Sequence, residues 1–206
     1  VDCVMIRNND HKKLKDIAAL NKISIINGLT DYSHPCQILG DFLTIQENFK
    51  NYRNINITWI GDFNNVSRSL LQLQNLYMFN LNLVIPEKIF QISNNELKQY
   101  TNKKLKILTN PIEVAKNSHC IMTDVWLSMG DKDKNKKKYF KNFTINSKMI
   151  KNAEKNVIFM HCLPATRNKE VTNDIIENKN ISVVWDEAEN RLHIQKAILE
   201  WCMNKI

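Results

Sequence analysis

The sequence predicts an α/β fold: a doubly wound parallel sheet joined to the tail of a second α/β domain. Three observations carry this. Short apolar runs alternate with stretches of helical period along the whole length, the pattern of strands joined by helical crossovers. Val157-Ile158-Phe159-Met160 is apolar throughout and bounded by polar residues, which suits a strand buried on both faces. The chain also opens on a strand–helix–strand unit with no earlier helix or strand before it, so that unit reads as the end of a larger domain.

In order, Val4-Met5-Ile6 is a strand ending at Arg7, Asp10 opens a helix to about Leu20, and Ser24-Ile25-Ile26 is a second strand. A loop from Asn27 to Gln37 follows. Pro35 suits the first turn of a helix, and Ile38, Phe42, Leu43 and Ile45 give Gln37–Phe49 a helical face. The main series then begins with a strand at Ile55–Ile60, a turn at Gly61–Asn65 and a helix from Val66 to Phe79. Leu81–Ile85 is a strand, Asn94–Lys103 a helix, Leu105–Leu108 a strand and Ile112–Asn117 a short helix. Cys120–Thr123 is a strand ending at Asp124. Beyond a charged loop lie the strand at 157–160, read as central, a helical turn near Val171, a strand at Ile181–Trp185 and a helix from Ala188.

The chain has 206 residues, 43% hydrophobic and 24% charged, the composition of an ordinary globular domain. No apolar run reaches membrane-spanning length, and the opening Val1-Asp2-Cys3-Val4-Met5 is not a signal peptide. The five cysteines are an odd number, widely spaced and without a CxxC pair, so a reducing compartment, the cytoplasm, fits best. The net charge is +8, but the lysines are scattered, as on a solvated surface, so no nucleic-acid partner is expected. Of the four glycines, Gly28, Gly61 and Gly130 sit in short polar stretches that read as functional loops, and Gly40 in a helix.

Ligands of open α/β sheets bind beyond the carboxyl ends of the strands. Arg7, His34–Gln37, Asn64-Asn65 and Asp124–Gly130 all fall in such loops. The turn at His161-Cys162-Leu163-Pro164 adds a thiol and an imidazole sited to meet a substrate. An arginine at a strand end and a histidine before a helix suit a phosphate or a polarised carbonyl. An aspartate beside Ser128 suits an ammonium group. Together with Cys162 and Arg191, the set is what transfer of an acyl-like group from a phosphate to an amine requires.

Four segments carry a resemblance: His34-Pro35-Cys36-Gln37, Asp124-Val125-Trp126-Leu127-Ser128-Met129-Gly130, His161-Cys162-Leu163-Pro164 and Glu189-Asn190-Arg191-Leu192-His193. In order and spacing they resemble ornithine carbamoyltransferase, over essentially the whole chain. The resemblance implies carbamoyl phosphate binding by Arg7, His34, Gln37, Cys162, Leu163 and Arg191, with Leu163 contributing its backbone carbonyl. It implies ornithine binding by Asn65, Asp124, Ser128 and Met129. Cys162, His34 and Arg7 would be catalytic: the arginine and histidine polarise the carbamoyl carbonyl, and the cysteine positions substrate and accepts or relays a proton. It further implies a cis Leu163–Pro164 bond, no metal or organic cofactor, and a homotrimer with no membrane partner.

The domains expected on this basis are the end of a carbamoyl phosphate domain at 1–36, an ornithine domain at 37–186 and a helix at 187–206 returning toward the first. The family's Ser-Thr-Arg-Thr phosphate loop does not occur among these residues, so the chain by itself is expected to be inactive. Two other readings stay open: a decayed relative that binds an amino acid without catalysis, and a basic α/β module for nucleic acid. Gln37 could also simply cap its helix, and Asn64-Asn65 could be turn formers. His11, His119, His193 and Trp126 read as structural, and Lys132–Lys141 as a solvated loop, the equivalent of which closes over ornithine in the family.

Overall fold

The computed structural model describes residues 1–128, 131, 133 and 135–203. Strand β1 (Cys3–Arg7) pairs in parallel with β2 (Ser24–Leu29), and α1 (His11–Ala19) crosses between them. The Asp10 carboxylate accepts from the Lys13 backbone N–H, closing one of the free amides at the start of α1. Helix α2 (Pro35–Asn48) opens on Pro35, whose fixed φ suits the first turn.

The main sheet comprises β3 (Asn56–Ile60), β4 (Asn80–Val84), β5 (Leu105–Leu108), β6 (Cys120–Thr123) and β7 (Ile158–His161). All its pairs are parallel, in the order β5-β4-β3-β6-β7. Trp59 stands opposite Leu83 and Met122, and Thr123 opposite His161. Every residue of β6 and β7 is buried, which is why those strands are nearly continuous apolar runs. The connections run through α3 (Asn65–Tyr77), α4 (Glu87–Leu97), α5 (Pro111–Val114), α6 (Ser147–Ile150) and α7 (Asn173–Ile176), and α8 (Val184–Met203) ends the described chain. No helix among the described residues is long and apolar enough to cross a membrane.

From β3 the chain moves outward through β4 and β5, then returns to the other side of β3 to build β6 and β7. The strand order therefore reverses between β3 and β6. Loops leaving such a pair diverge and open a crevice at the carboxyl ends. Here the diverging loops carry Asp62, Asn64 and Asp124. Helix α8 then packs back onto α2, next to the β1–β2 unit. Gly40 permits that contact, since a Cβ there would lie 3.0 Å from Cδ of Arg191.

Several sequence expectations are corrected. The helix expected at Asn94–Lys103 lies at Glu87–Leu97, beginning after Pro86 and burying Ile89 and Leu97, which share one face at a spacing of eight. Ile181–Trp185 is not a strand. Only Ser182 bridges Phe159, and α8 begins at Val184 rather than Ala188, with the Glu187 amide already donating to the Val183 carbonyl. The strand at 157–160 is consequently near the sheet edge, not central. Gly28 belongs to β2, where a Cβ would lie 3.0 Å from Cγ of Met5, so close packing explains this glycine better than a functional loop does.

Candidate active site

One cleft of about 590 Å³ opens at the switch point, walled on one side by β1, β2 and the start of α2 and on the other by the β3, β6 and β7 loops. Arg7, His34, Gln37, Asn65, Asp124, Ser128, Cys162, Leu163 and Arg191 all line it. The structure thus brings together every expected site residue it describes. Met129 lies outside the described residues. A larger depression of about 680 Å³ lies near His11, Lys15 and Tyr32, but its Arg68 is already paired with Glu96 and with the Tyr32 carbonyl.

The phosphate side begins with Arg7, exposed where β1 ends. His34 precedes α2 and is buried, its backbone N–H donating to Ser69 Oγ at 2.8 Å. Burial, with the positive charges of Arg191 and Arg7 nearby, lowers its pKa from 6.5 to about 3. The imidazole is therefore neutral at physiological pH, and its buried Nδ1 has no protein partner. A neutral ring can donate one hydrogen bond to a developing oxyanion while the arginines supply the charge. Arg191 reaches in from α8, and one of its Nη groups donates to Gln37 Oε1.

The amine side is built on Asn64 and Asp124. Asn64 caps α3, its side-chain oxygen accepting from the Val66 and Ser67 amides at 3.0 and 3.1 Å, while Ser67 Oγ accepts from the Asn64 amide. With its oxygen so engaged, the Nδ2 group is turned outward. It donates to Asp124 Oδ2 at 2.7 Å and lies 3.5 Å from Ser128 Oγ. The other Asp124 oxygen accepts from the Val125 amide at 2.7 Å. Asn65 opens α3 and spends its side-chain N–H on the Thr30 carbonyl at 2.7 Å, pinning the β2 loop to the amine side.

Cys162 sits between the two sides. Burial first, then the negative charge and hydrogen bonding of Asp124, raise its pKa well above the usual thiol value. It is held as a thiol, able in the ground state to donate a proton but not to accept one. The Leu163–Pro164 peptide is cis, and Leu163 has a left-handed φ of 52°. The Leu163 N–H donates to His161 Nδ1 at 2.9 Å, which holds a backbone conformation that leucine rarely adopts.

This corrects the reading of His161 as a residue facing substrate. It is 1% exposed, with Nδ1 facing Leu163 and Nε2 3.4 Å from Glu170, so it braces the turn from behind. The same arrangement bears on metal binding. Asp124, His161 and Cys162 bring ligand atoms within 4.8 Å of one another. The His161 Nδ1 lone pair is already taken by an amide and Nε2 is directed at a carboxylate, so this donor set does not fit an ion.

Sequence reasoning missed Lys136 and Asp62. Lys136 falls in the stretch read as solvated, yet its ammonium pairs with the buried Asp62 and with Asp131, and all three line the cleft. Burial, partly offset by Lys136, raises Asp62 to about 6. The signal available was Asp62 in the turn two residues past the end of β3. Nothing in the sequence marked Lys136 among its neighbouring lysines. Trp126, expected to be structural, stacks on Phe140 with ring centroids 5.1 Å apart. His119 accepts from the Asn56 amide, and His11 bonds Thr30.

The model of the aspartate/ornithine carbamoyltransferase Asp/Orn binding domain matches residues 53–202, and that of the carbamoyl-P binding domain matches residues 1–47. The chain belongs to the aspartate/ornithine carbamoyltransferase family. Within it, the ornithine carbamoyltransferase of Methanococcus vannielii is 42% identical, covering 98% of this chain and 69% of that protein. The one from Prochlorococcus marinus is 43% identical, covering 96% of this chain and 66% of that protein. Among solved structures, ornithine carbamoyltransferase from Pyrococcus furiosus superposes with a TM-score of 0.86 at 38% identity, covering the whole chain and 68% of its own. That from Gloeobacter violaceus also gives 0.86, at 35% identity, covering 98% of this chain and 70% of its own. The chain spans about two thirds of the length of the curated relatives it matches. Its α/β fold with parallel sheets is that of the ornithine carbamoyltransferase structures.

Proposed function

We propose that the protein carrying this chain transfers the carbamoyl group of carbamoyl phosphate to the δ-amino group of ornithine, giving citrulline and phosphate. One observation supports this most: a cleft in which two arginines and a neutral histidine face a polarised carboxylate across a half-buried thiol. Arg7 and Arg191 hold the phosphate. His34 donates to the carbamoyl oxygen as the carbonyl becomes tetrahedral, and Gln37 and the Leu163 carbonyl engage the carbamoyl group. Asp124, steadied by Asn64, takes the α-ammonium of ornithine with Ser128 and Asn65 beside it, and the family resemblance assigns Met129 to the same substrate. The δ-nitrogen forms the new C–N bond, the C–O bond to phosphate breaks, and the amine proton leaves with phosphate or to water. Cys162, a thiol, orients the two reactants by hydrogen bonding.

The carbamoyl phosphate portion is assigned to 1–36, the ornithine portion to 37–186 and the returning helix to 187–206. A cytoplasmic homotrimer acting in arginine biosynthesis or the urea cycle fits this reading. The Asp/Orn domain matches residues 53–202 and the carbamoyl-P domain only residues 1–47, in a chain spanning about two thirds of its relatives' length, so the chain by itself is expected to be a poor catalyst. The test is citrulline formation by the chain alone and by the chain joined to the carbamoyl-P domain residues of the Methanococcus vannielii relative that it does not match. Turnover in the joined protein, lost in Cys162→Ala and Asp124→Ala, supports the reading. Tight ornithine binding without turnover would instead identify an amino-acid-binding relative.

A further inference from the structure

Beneath the phosphate side of the cleft, two carboxyl groups lie against each other. Asp41 is one helical turn after Gln37 on α2, Glu187 is in the first turn of α8, and each is 1% exposed. The two carboxyl groups converge on the side-chain amide of Gln37. Asp41 Oδ1 accepts from Gln37 Nε2 at 2.7 Å, and Glu187 Oε1 lies 3.5 Å from the same group. Glu187 Oε2 accepts from the His161 backbone N–H at 2.8 Å. Of the four carboxyl oxygens of the pair, Asp41 Oδ2 has no hydrogen-bond partner in the protein.

A buried carboxylate oxygen without a donor is costly, and two touching carboxylates cannot both stay ionised. One proton between Asp41 Oδ2 and Glu187 removes both problems. The nearby charges agree. Arg191 lowers the Asp41 pKa and Asp124 raises it, and the Cys120 and Cys162 thiols feel both acids. Burial dominates, pushing Asp41 up to about 7 and Glu187 well above the usual carboxylate range.

We propose that Asp41 and Glu187 share one proton and act as a positioning pair that fixes the orientation in which Gln37 and Arg191 face the cleft. The two acceptors on one side of the Gln37 amide demand its NH₂ group there, which turns Oε1 toward the Arg191 guanidinium. A flipped amide would set its oxygen against two carboxyl oxygens and its NH₂ against a cation. Through His161 the same pair also holds the end of β7 directly before Cys162. The pair thus sits under both the phosphate anchor and the thiol. Only the identity of the ligand rests on the carbamoyltransferase reading.

The test is solution NMR of the 206-residue chain, following the Asp and Glu carboxyl carbons and the side-chain amide of Gln37. The two acids are expected to titrate as one unit that keeps a proton through neutral pH, with the Gln37 amide protons protected from exchange. Asp41→Asn retains an acceptor for Gln37 and a donor for Glu187. It is expected to release the shared proton, so that Glu187 is ionised at neutral pH, and to retain most of the Gln37 protection. Asp41→Ala is expected to lower that protection about tenfold, the scale of one buried hydrogen bond. Two separate acids, both ionised by about pH 5 as unperturbed carboxyls are, would overturn the proposal. So would unchanged protection in a folded Asp41→Ala. If Asp41→Ala does not fold, the Asp41→Asn titration decides. Carbamoyl phosphate added last probes the other reading: a shared proton with no response of Gln37 to the ligand would support the pair and sink the assignment of the cleft.

Discussion

Replacing His34 with glutamine removes the titration of the imidazole while keeping a neutral hydrogen-bonding side chain at the start of α2. Burial beside Arg191 and Arg7 lowers the His34 pKa from 6.5 to about 3 in the folded chain. Below the unfolded value, the unfolded chain binds a proton that the folded chain refuses, so the histidine's contribution is lost as pH falls from about 6.5 toward 3. Each step of one in pH across that window costs about 1.36 kcal/mol, so at about pH 5 the loss relative to neutral pH comes to about 2 kcal/mol. Asp41 titrates in part of the same window with the opposite sign: its raised pKa makes the folded chain bind the extra proton, so its contribution falls as pH rises from about 4 to about 7. Comparing wild type with His34→Gln at each pH cancels that contribution. Urea denaturation at about pH 7.5 and pH 5 gives both differences. The variant should gain about 2 kcal/mol on wild type at the lower pH. A difference that does not change with pH would refute the assignment of a neutral, buried His34.

Asn64→Ala removes both the cap of α3 and a donor to Asp124, and denaturation should show a loss of about 1 kcal/mol. Ornithine affinity, measured by calorimetry, should drop more than about tenfold, because Asp124 loses a bond to a charged acceptor. A drop in stability alone would place Asn64 outside the amine site. Lys136→Ala leaves the buried Asp62 without its cation, and should cost about 3 kcal/mol at pH 7.5. The cost should be smaller at pH 5, where Asp62, already raised to about 6, takes up a proton; equal losses at both would contradict the pairing. Alkylation at neutral pH followed by mass spectrometry should modify Cys162 more slowly than Cys3, although both are half-buried, since desolvation and Asp124 hold Cys162 as a thiol. Fast labelling of Cys162 would contradict that state.

The strands of the main sheet were legible because each is a short apolar run closed by a polar or turn-forming residue, and Cys120–Thr123 matches its strand at both ends. The run at Ile181–Trp185 has the same local character, yet α8 claims Val184 onward: packing against α2 outweighed β propensity. The site was legible where chemistry falls at a strand end, as with Arg7 and Asp124. It was less so where a residue acts on another residue. His161 looks like a ligand-facing group in sequence, and only its hydrogen bonds to Leu163 and Glu170 reveal a brace. Asp41 and Glu187 stand 146 positions apart, and no local pattern announces that two helices bring them together. Lys136 became distinguishable from the other lysines of its loop only once Asp62 was buried beside it.

The most direct test of the account is citrulline formation from carbamoyl phosphate and ornithine by the chain joined to the carbamoyl-P domain residues it does not match, with Cys162→Ala and Asp124→Ala as controls. The cleft described above predicts turnover that falls at least about a hundredfold in each variant, the scale on which misplaced reactants lose rate. Turnover equal in wild type and both variants would contradict it, because the thiol and the carboxylate would then take no part in bringing the amine to the carbamoyl carbon.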